Sequence, residues 1–140
     1  MKILFVYPKS EGYGRIPLGM SILMTILMND GHKVELFDVS FIMQNNSLDQ
    51  EAREKFKIAI HTDTSYLYDY HSIEEIDNLF ISKLKEFSPD IVAYSIVEDN
   101  YRYCHRLLKI TKSVNSSLIN IVGGSTPTIA AKTIIQNPYI

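Results

Sequence analysis

Asp90-Ile91-Val92-Ala93-Tyr94-Ser95-Ile96-Val97 opens after Ser88-Pro89 and closes at the acidic step Glu98-Asp99-Asn100. A short, nearly unbroken run of apolar and β-branched residues between turn signals reads as a strand buried on both faces. Such strands belong to parallel sheets with helices on either side. Ser95 is a hydroxyl near the C-terminal end of this strand, the end at which open α/β sheets bind their ligands.

Upstream, Ile3-Leu4-Phe5-Val6-Tyr7 reads as a first buried strand, stopped by Pro8, and residues 8–16 form the loop that follows. Pro17 suits the first position of a helix, where its missing N–H costs nothing. That helix carries Leu18, Ile22, Ile26 and Leu23, Leu27 at helical spacing and stops at Asn29-Asp30-Gly31, with Gly31 as its C′ residue. His32-Lys33-Val34-Glu35-Leu36-Phe37-Asp38 is a second strand with Val34, Leu36 and Asp38 on one face. Strand, helix and strand within 40 residues require a right-handed parallel crossover.

Two capping boxes follow. Ser47-Leu48-Asp49-Gln50 opens a helix with Leu48, Ala52, Phe56 and Ala59 on one side. Ser72-Ile73-Glu74-Glu75 opens another, with Ile73, Ile76, Phe80, Leu84 and Phe87 at i+3 and i+4. Between them, His61 to His71 is polar and tyrosine-rich, the composition of a surface loop. After the central strand, a helix starting near Asp99 or Asn100 buries Tyr103, Leu107, Ile110 and Val114. Its Arg102, Arg106, Lys109 and Lys112 make a solvated face. Leu118-Ile119-Asn120-Ile121-Val122 is a fourth strand ending in Gly123-Gly124, and Thr126-Pro127 starts a last helix running through Ile135. The expectation is one α/β domain over residues 1–140, a doubly wound, flavodoxin-like parallel sheet in the order 2-1-3-4, cut off where a fifth strand should begin.

Composition narrows the function classes. Apolar residues make up 46% and charged ones 21%, and a net charge of −2 gives no electrostatic case for nucleic acid or an anionic membrane. No apolar run approaches the ~18–20 residues needed to span a bilayer, and the N-terminus lacks a signal-peptide cleavage site. The expected location is cytoplasmic. The single cysteine, Cys104, excludes an internal disulfide and any all-cysteine metal or iron–sulfur site in these residues. It reads as a small core residue.

Three loops leave the C-terminal ends of strands: residues 8–16, 95–100 and 123–126. In the expected strand order the first and third strands flank the topological switch point, where the crevice opens. Gly12-Tyr13-Gly14 with Gly19 does not have the spacing of a dinucleotide fingerprint. Asp38 suits a ribose hydroxyl or a cap on the following segment. Ser95 suits a ligand or the backbone at the strand end, and Gly123-Gly124 a ligand's close approach or a tight strand-to-helix turn. His61-x-Asp63 and Asp69-x-His71 have metal-ligand residue types but no fixed third ligand, which reads as surface. No nucleophile, base and orienting residue can be grouped from spacing, so no catalytic and no metal-ligating residue is assigned.

Taken together, these stretches resemble a known family. Val92-Ala93-Tyr94-Ser95-Ile96-Val97, a helix, then Ile121-Val122-Gly123-Gly124-Ser125-Thr126 look like the Ser-x-Leu and Gly-Gly signature of cobalamin-binding domains. Pro17-Leu18-Gly19 before a helix, followed by Gly31-His32-Lys33-Val34-Glu35-Leu36-Phe37-Asp38, is similar to the amino-terminal domain of cobalamin-dependent radical S-adenosylmethionine enzymes. The resemblance covers about residues 1–38 and 88–140. It implies that the nucleotide tail of cobalamin enters the sheet crevice past Gly123 and Gly124, and that Ser95, followed by Val97 in place of the usual leucine, donates a hydrogen bond to the buried base. Loop residues Ser10, Gly12, Tyr13, Gly14 and Arg15 would lie under the corrin ring. Asp38 joins the candidate cofactor site, and Ser125 and Thr126 would meet the phosphate or propionamide chains.

The loop after the first strand has no histidine, so the implied cobalamin is base-off without a protein histidine on cobalt. The Cys-x-x-x-Cys-x-x-Cys motif is absent, so the [4Fe-4S] cluster and S-adenosylmethionine would belong to a barrel domain downstream, and this stretch would bind without catalysing. The expected partners are cobalamin and that barrel, with no nucleic acid and no membrane. The alternative is a nucleotide- or sugar-nucleotide-binding half of a transferase or oxidoreductase, resting on Asp38 and the glycine loop. A phosphoacceptor domain needs acidic residues after the first strand, and Tyr7-Pro8-Lys9 supplies none.

Overall fold

A computed structural model describes residues 1–8, 17–40, 42, 48–58, 60, 66, 69 and 71–140. The side chains of residues 48–51 are outside that description. Four strands, β1 (Lys2–Tyr7), β2 (Lys33–Asp38), β3 (Ile91–Ser95) and β4 (Ile119–Gly123), form one sheet in the order β2-β1-β3-β4. All three pairings are parallel, with Phe5 opposite Leu36 and Ala93, and Ala93 opposite Ile121. The helices are α1 (Leu18–Asn29), α2 (Leu48–Lys55), α3 (Ile73–Phe87), α4 (Tyr101–Val114), α5 (Ser125–Ile129) and α6 (Ala131–Ile134). This is the doubly wound, flavodoxin-like α/β fold that the strand pattern anticipates.

The sheet divides the core in two. On one face Leu4, Val6, Phe37, Val92, Tyr94 and Ile96 pack against α3 and α4. There α3 contributes Ile76, Phe80, Leu84 and Phe87, the anticipated stripe without Ile73, which is exposed. Its N-terminus is the anticipated capping box: the Glu75 N–H donates to Ser72 Oγ at 3.2 Å, and the Ser72 N–H donates to Glu75 Oε2 at 2.7 Å. Those bonds, the one to the Ser72 backbone first, hold the Glu75 carboxyl below its usual range.

The opposite face has a smaller core of Ile3, Phe5 and Met20, with Met24, Leu27, Val34, Leu36, Ile91 and Ala93 around it. Here the expected apolar face of α1 is corrected. Leu27 packs inward, but Leu18, Ile22, Leu23 and Ile26 are each more than half exposed. The helix reads LGMSILMTILMN and carries no charge, so its periodicity marks no single inward face. It also begins at Leu18, with Pro17 just outside.

The inward face of α4 is turned from the expected one. Cys104, Leu107, Leu108 and Thr111 are buried, while Tyr103, Ile110 and Val114 are only partly so. Two of its four cations are not simply solvated. Arg106 pairs with the buried Asp77 of α3 (Nε to Oδ2, 2.6 Å), and Lys112 Nζ donates to the Leu118 carbonyl at 2.7 Å. The last helix is two short ones, broken at Ala130. α2 forms where the first capping box predicts it, with Phe56 exposed, but Ser47 and Ala59 lie outside the described residues.

Candidate functional site

The site is the C-terminal edge of the sheet, where β1, β3 and β4 end side by side. Alternation along β3 sends Val92, Tyr94 and Ile96 toward α3 and α4, and Ile91, Ala93 and Ser95 toward the α1 side. The β3–β4 register sets Ser95 opposite Gly123. Ser95 and Gly123 are therefore neighbours on one face, with Ala93 and Ile121 as the next pair below them. A Cβ on Gly123 would have nothing within 4 Å. Among the described residues, none accepts a hydrogen bond from the half-buried Ser95 hydroxyl.

Gly124 is a different case. Its backbone sits at φ 106°, ψ −172°, a region open essentially to glycine alone. An added Cβ would stand 2.5 Å from the Ile96 carbonyl oxygen and 3.1 Å from the Ile96 nitrogen. The two exits are laced together there: the Ile96 N–H donates to the Gly123 carbonyl at 2.7 Å, and the Thr126 N–H donates to the Ile96 carbonyl at 3.3 Å. The expectation that both glycines clear a path for a ligand is thus split. Gly123 leaves open space, and Gly124 is the tight strand-to-helix turn.

Asp38 accepts the Ser40 N–H at 2.8 Å, the capping alternative, which leaves its other oxygen for a ligand. Val97 is exposed, and its N–H donates to Asn100 Oδ1 at 3.0 Å. Ser125 is exposed at the start of α5, and Thr126 has spent its N–H on Ile96. Ser10, Gly12, Tyr13, Gly14 and Arg15 lie outside the described residues, as do His61 and Asp63. His71 sits 3.4 Å from Asp69 and 3.8 Å from Glu75, and the described residues hold no group of three metal-ligating side chains. No helix among them is long and apolar enough to cross a membrane.

Asn100 was not singled out in the sequence, yet among the described residues it is the most connected side chain at the edge. It is buried, its Nδ2 donates to the Ser95 carbonyl at 3.3 Å, and its Oδ1 also accepts the Cys104 thiol at 3.3 Å. Burial pushes that thiol up to about 12, so it stays a neutral donor at physiological pH. The other face is equally committed: Tyr94 Oη meets Thr111 Oγ1 at 2.5 Å, and burial holds its phenol far above the usual range.

No family model matches this chain, and no curated protein or solved structure does.

Proposed function

We propose that this chain is a cobalamin-binding module that takes the cofactor's nucleotide tail into the crevice between the β1, β3 and β4 exits. One observation carries the reading. Ser95 and Gly123 are register partners on one face, the hydroxyl unclaimed by any described residue and the glycine facing open space. A flat heteroaromatic base needs both features: a surface without a Cβ, and a donor for a ring nitrogen that would otherwise be buried unsatisfied.

Within this reading Ser95 donates to the base, Gly123 and Ala93 floor the tail, and Asp38 stands at the mouth. When bound, the cobalt would supply methyl transfer to an unreactive carbon or phosphorus centre. The radical chemistry, with its [4Fe-4S] cluster and S-adenosylmethionine, would belong to a separate barrel domain of a radical S-adenosylmethionine enzyme. No described histidine is assigned to the cobalt's lower face, and His61 lies outside the described residues. His32 lies 3.3 Å from the Met1 amino group at the opposite end of the sheet, His105 is held by Asn137, and His71 is beside Asp69.

The test is equilibrium dialysis against hydroxocobalamin. Wild type is expected to bind at micromolar concentration or tighter. Gly123→Val is expected to lose that binding with its circular dichroism unchanged, because the new side chain enters open space. Equal uptake by both proteins, or uptake of nucleotides and sugar nucleotides but no corrinoid, ends the reading.

A further inference from the structure

The geometry points to Asn100 as the positioning residue of this crevice: its side-chain amide stands in for residue 8 in the β1–β3 ladder and thereby keeps the two strand exits apart. The Val39 N–H donates to the Tyr7 carbonyl, so the polar groups of Tyr7 face β2, and those of Val6 and Pro8 face β3. Ile96 exchanges hydrogen bonds with Gly123 and Thr126, so its polar groups face β4, and those of Ser95 and Val97 face β1. Val6 stands opposite Tyr94, which sets the next step as Tyr7 opposite Ser95.

In a parallel ladder the Ser95 carbonyl would then accept from the N–H of residue 8, and the Val97 N–H would donate to the carbonyl of residue 8. Residue 8 is proline and has no N–H. Neither Ser95 nor Val97 is left orphaned. Asn100 Nδ2 donates to the Ser95 carbonyl at 3.3 Å, and Asn100 Oδ1 accepts from the Val97 N–H at 3.0 Å. One primary amide thus presents to β3 the donor and the acceptor that the next residue of β1 would have presented. The Val97 N–H can only donate and the Ser95 carbonyl can only accept, which fixes which way round the amide lies. The pairing ends at Pro8 and Ser95, and the crevice begins there.

That Asn100 serves a corrinoid site rests on the function proposed above; its place in the ladder does not. The experiment therefore has two arms, amide hydrogen exchange at Val97 and dialysis against hydroxocobalamin, on wild type, Asn100→Ala and the double variant Pro8→Ala with Asn100→Ala. Asn100→Ala is expected to speed Val97 exchange by about tenfold or more, since one local hydrogen bond no longer closes, and to weaken corrinoid binding by about fivefold to tenfold. The double variant restores an N–H at position 8, so the ladder can run on by one residue. Val97 protection is expected to return while corrinoid affinity does not, because the exits now pair where the ligand must enter.

A residue that merely stabilised the loop would regain both together, and that result overturns the inference. So does wild-type protection of Val97 in Asn100→Ala. If Asn100→Ala fails to fold, Asn100→Leu, which keeps much of the shape but loses both the Oδ1 acceptor and the Nδ2 donor, is read by the same criteria. If wild type takes up no corrinoid, the cofactor reading fails and the exchange arm alone decides where Asn100 belongs.

Discussion

Gly124→Ala is the sharpest test of how the two strand exits are held. Alanine at φ 106° pays a backbone penalty of about 1–3 kcal/mol. Its Cβ would also lie 2.5 Å from the Ile96 carbonyl oxygen, so that carbonyl must move and the hydrogen bond it accepts from Thr126 is lost or lengthened, for about 1 kcal/mol more. The sum, about 2–4 kcal/mol, is a large part of the 5–15 kcal/mol that holds a typical domain together. Urea unfolding followed by circular dichroism reads it as a lower midpoint at unchanged slope. Gly123→Ala is the matched control. Its Cβ meets nothing within 4 Å and its φ is not positive, so its stability should stay within about 1 kcal/mol of wild type. A cost below about 1 kcal/mol for Gly124→Ala, or equal costs at the two positions, would refute the close approach of Gly124 to Ile96.

Ser95→Ala should leave the unfolding midpoint in place and weaken hydroxocobalamin binding by roughly 1–2 kcal/mol through one lost buried hydrogen bond; an unchanged dissociation constant would put the base elsewhere. Uniform nitrogen-15 labelling of the protein, with unlabelled cobalamin, should leave the superhyperfine splitting of the cobalt(II) electron paramagnetic resonance signal unaltered. A splitting that changes on labelling would show a protein nitrogen on the metal. Glu75 has a folded pKa below its ordinary value near 4.5, so its contribution to stability is full above that value and lost as pH falls through the lowered one. Glu75→Gln should therefore show a shallower loss of stability on acidification in that range, and an acid limb identical to wild type would mean the capping box does not form in solution.

What could be read from the letters divides along physical lines. The central strand and α3 were legible because each of their signals is local: an apolar run between turn residues, and a serine three residues ahead of the glutamate that caps with it. α1 was legible as a helix but not in its orientation, since a chargeless sequence carries no contrast between its sides. Gly123 and Gly124 are identical as letters, and only the backbone angle and the distance to Ile96 separate the one that leaves space from the one that closes a turn. Asn100 was hidden for a different reason. Its partners are main-chain groups of Ser95 and Val97, and the need it meets arises from the N–H that Pro8 lacks on another strand. An asparagine at a helix start just after the central strand, combined with a proline ending the first strand, is the signal that could have found it.

The uncovered side of α1 has a calorimetric consequence. Leu18, Ile22, Leu23, Ile26 and Met28, with Ile119 and Ile121 of β4, are already about half hydrated or more in the folded chain. Melting wets less new hydrocarbon than a fully enclosed core of this size would, and it is newly wetted hydrocarbon that raises the heat capacity of unfolding. The increment for this chain is therefore expected to fall below the about 12–15 cal/mol/K per residue of ordinary domains, which differential scanning calorimetry would check. A smaller increment flattens the dome of free energy against temperature, so the fold loses stability slowly on cooling and on warming away from its optimum.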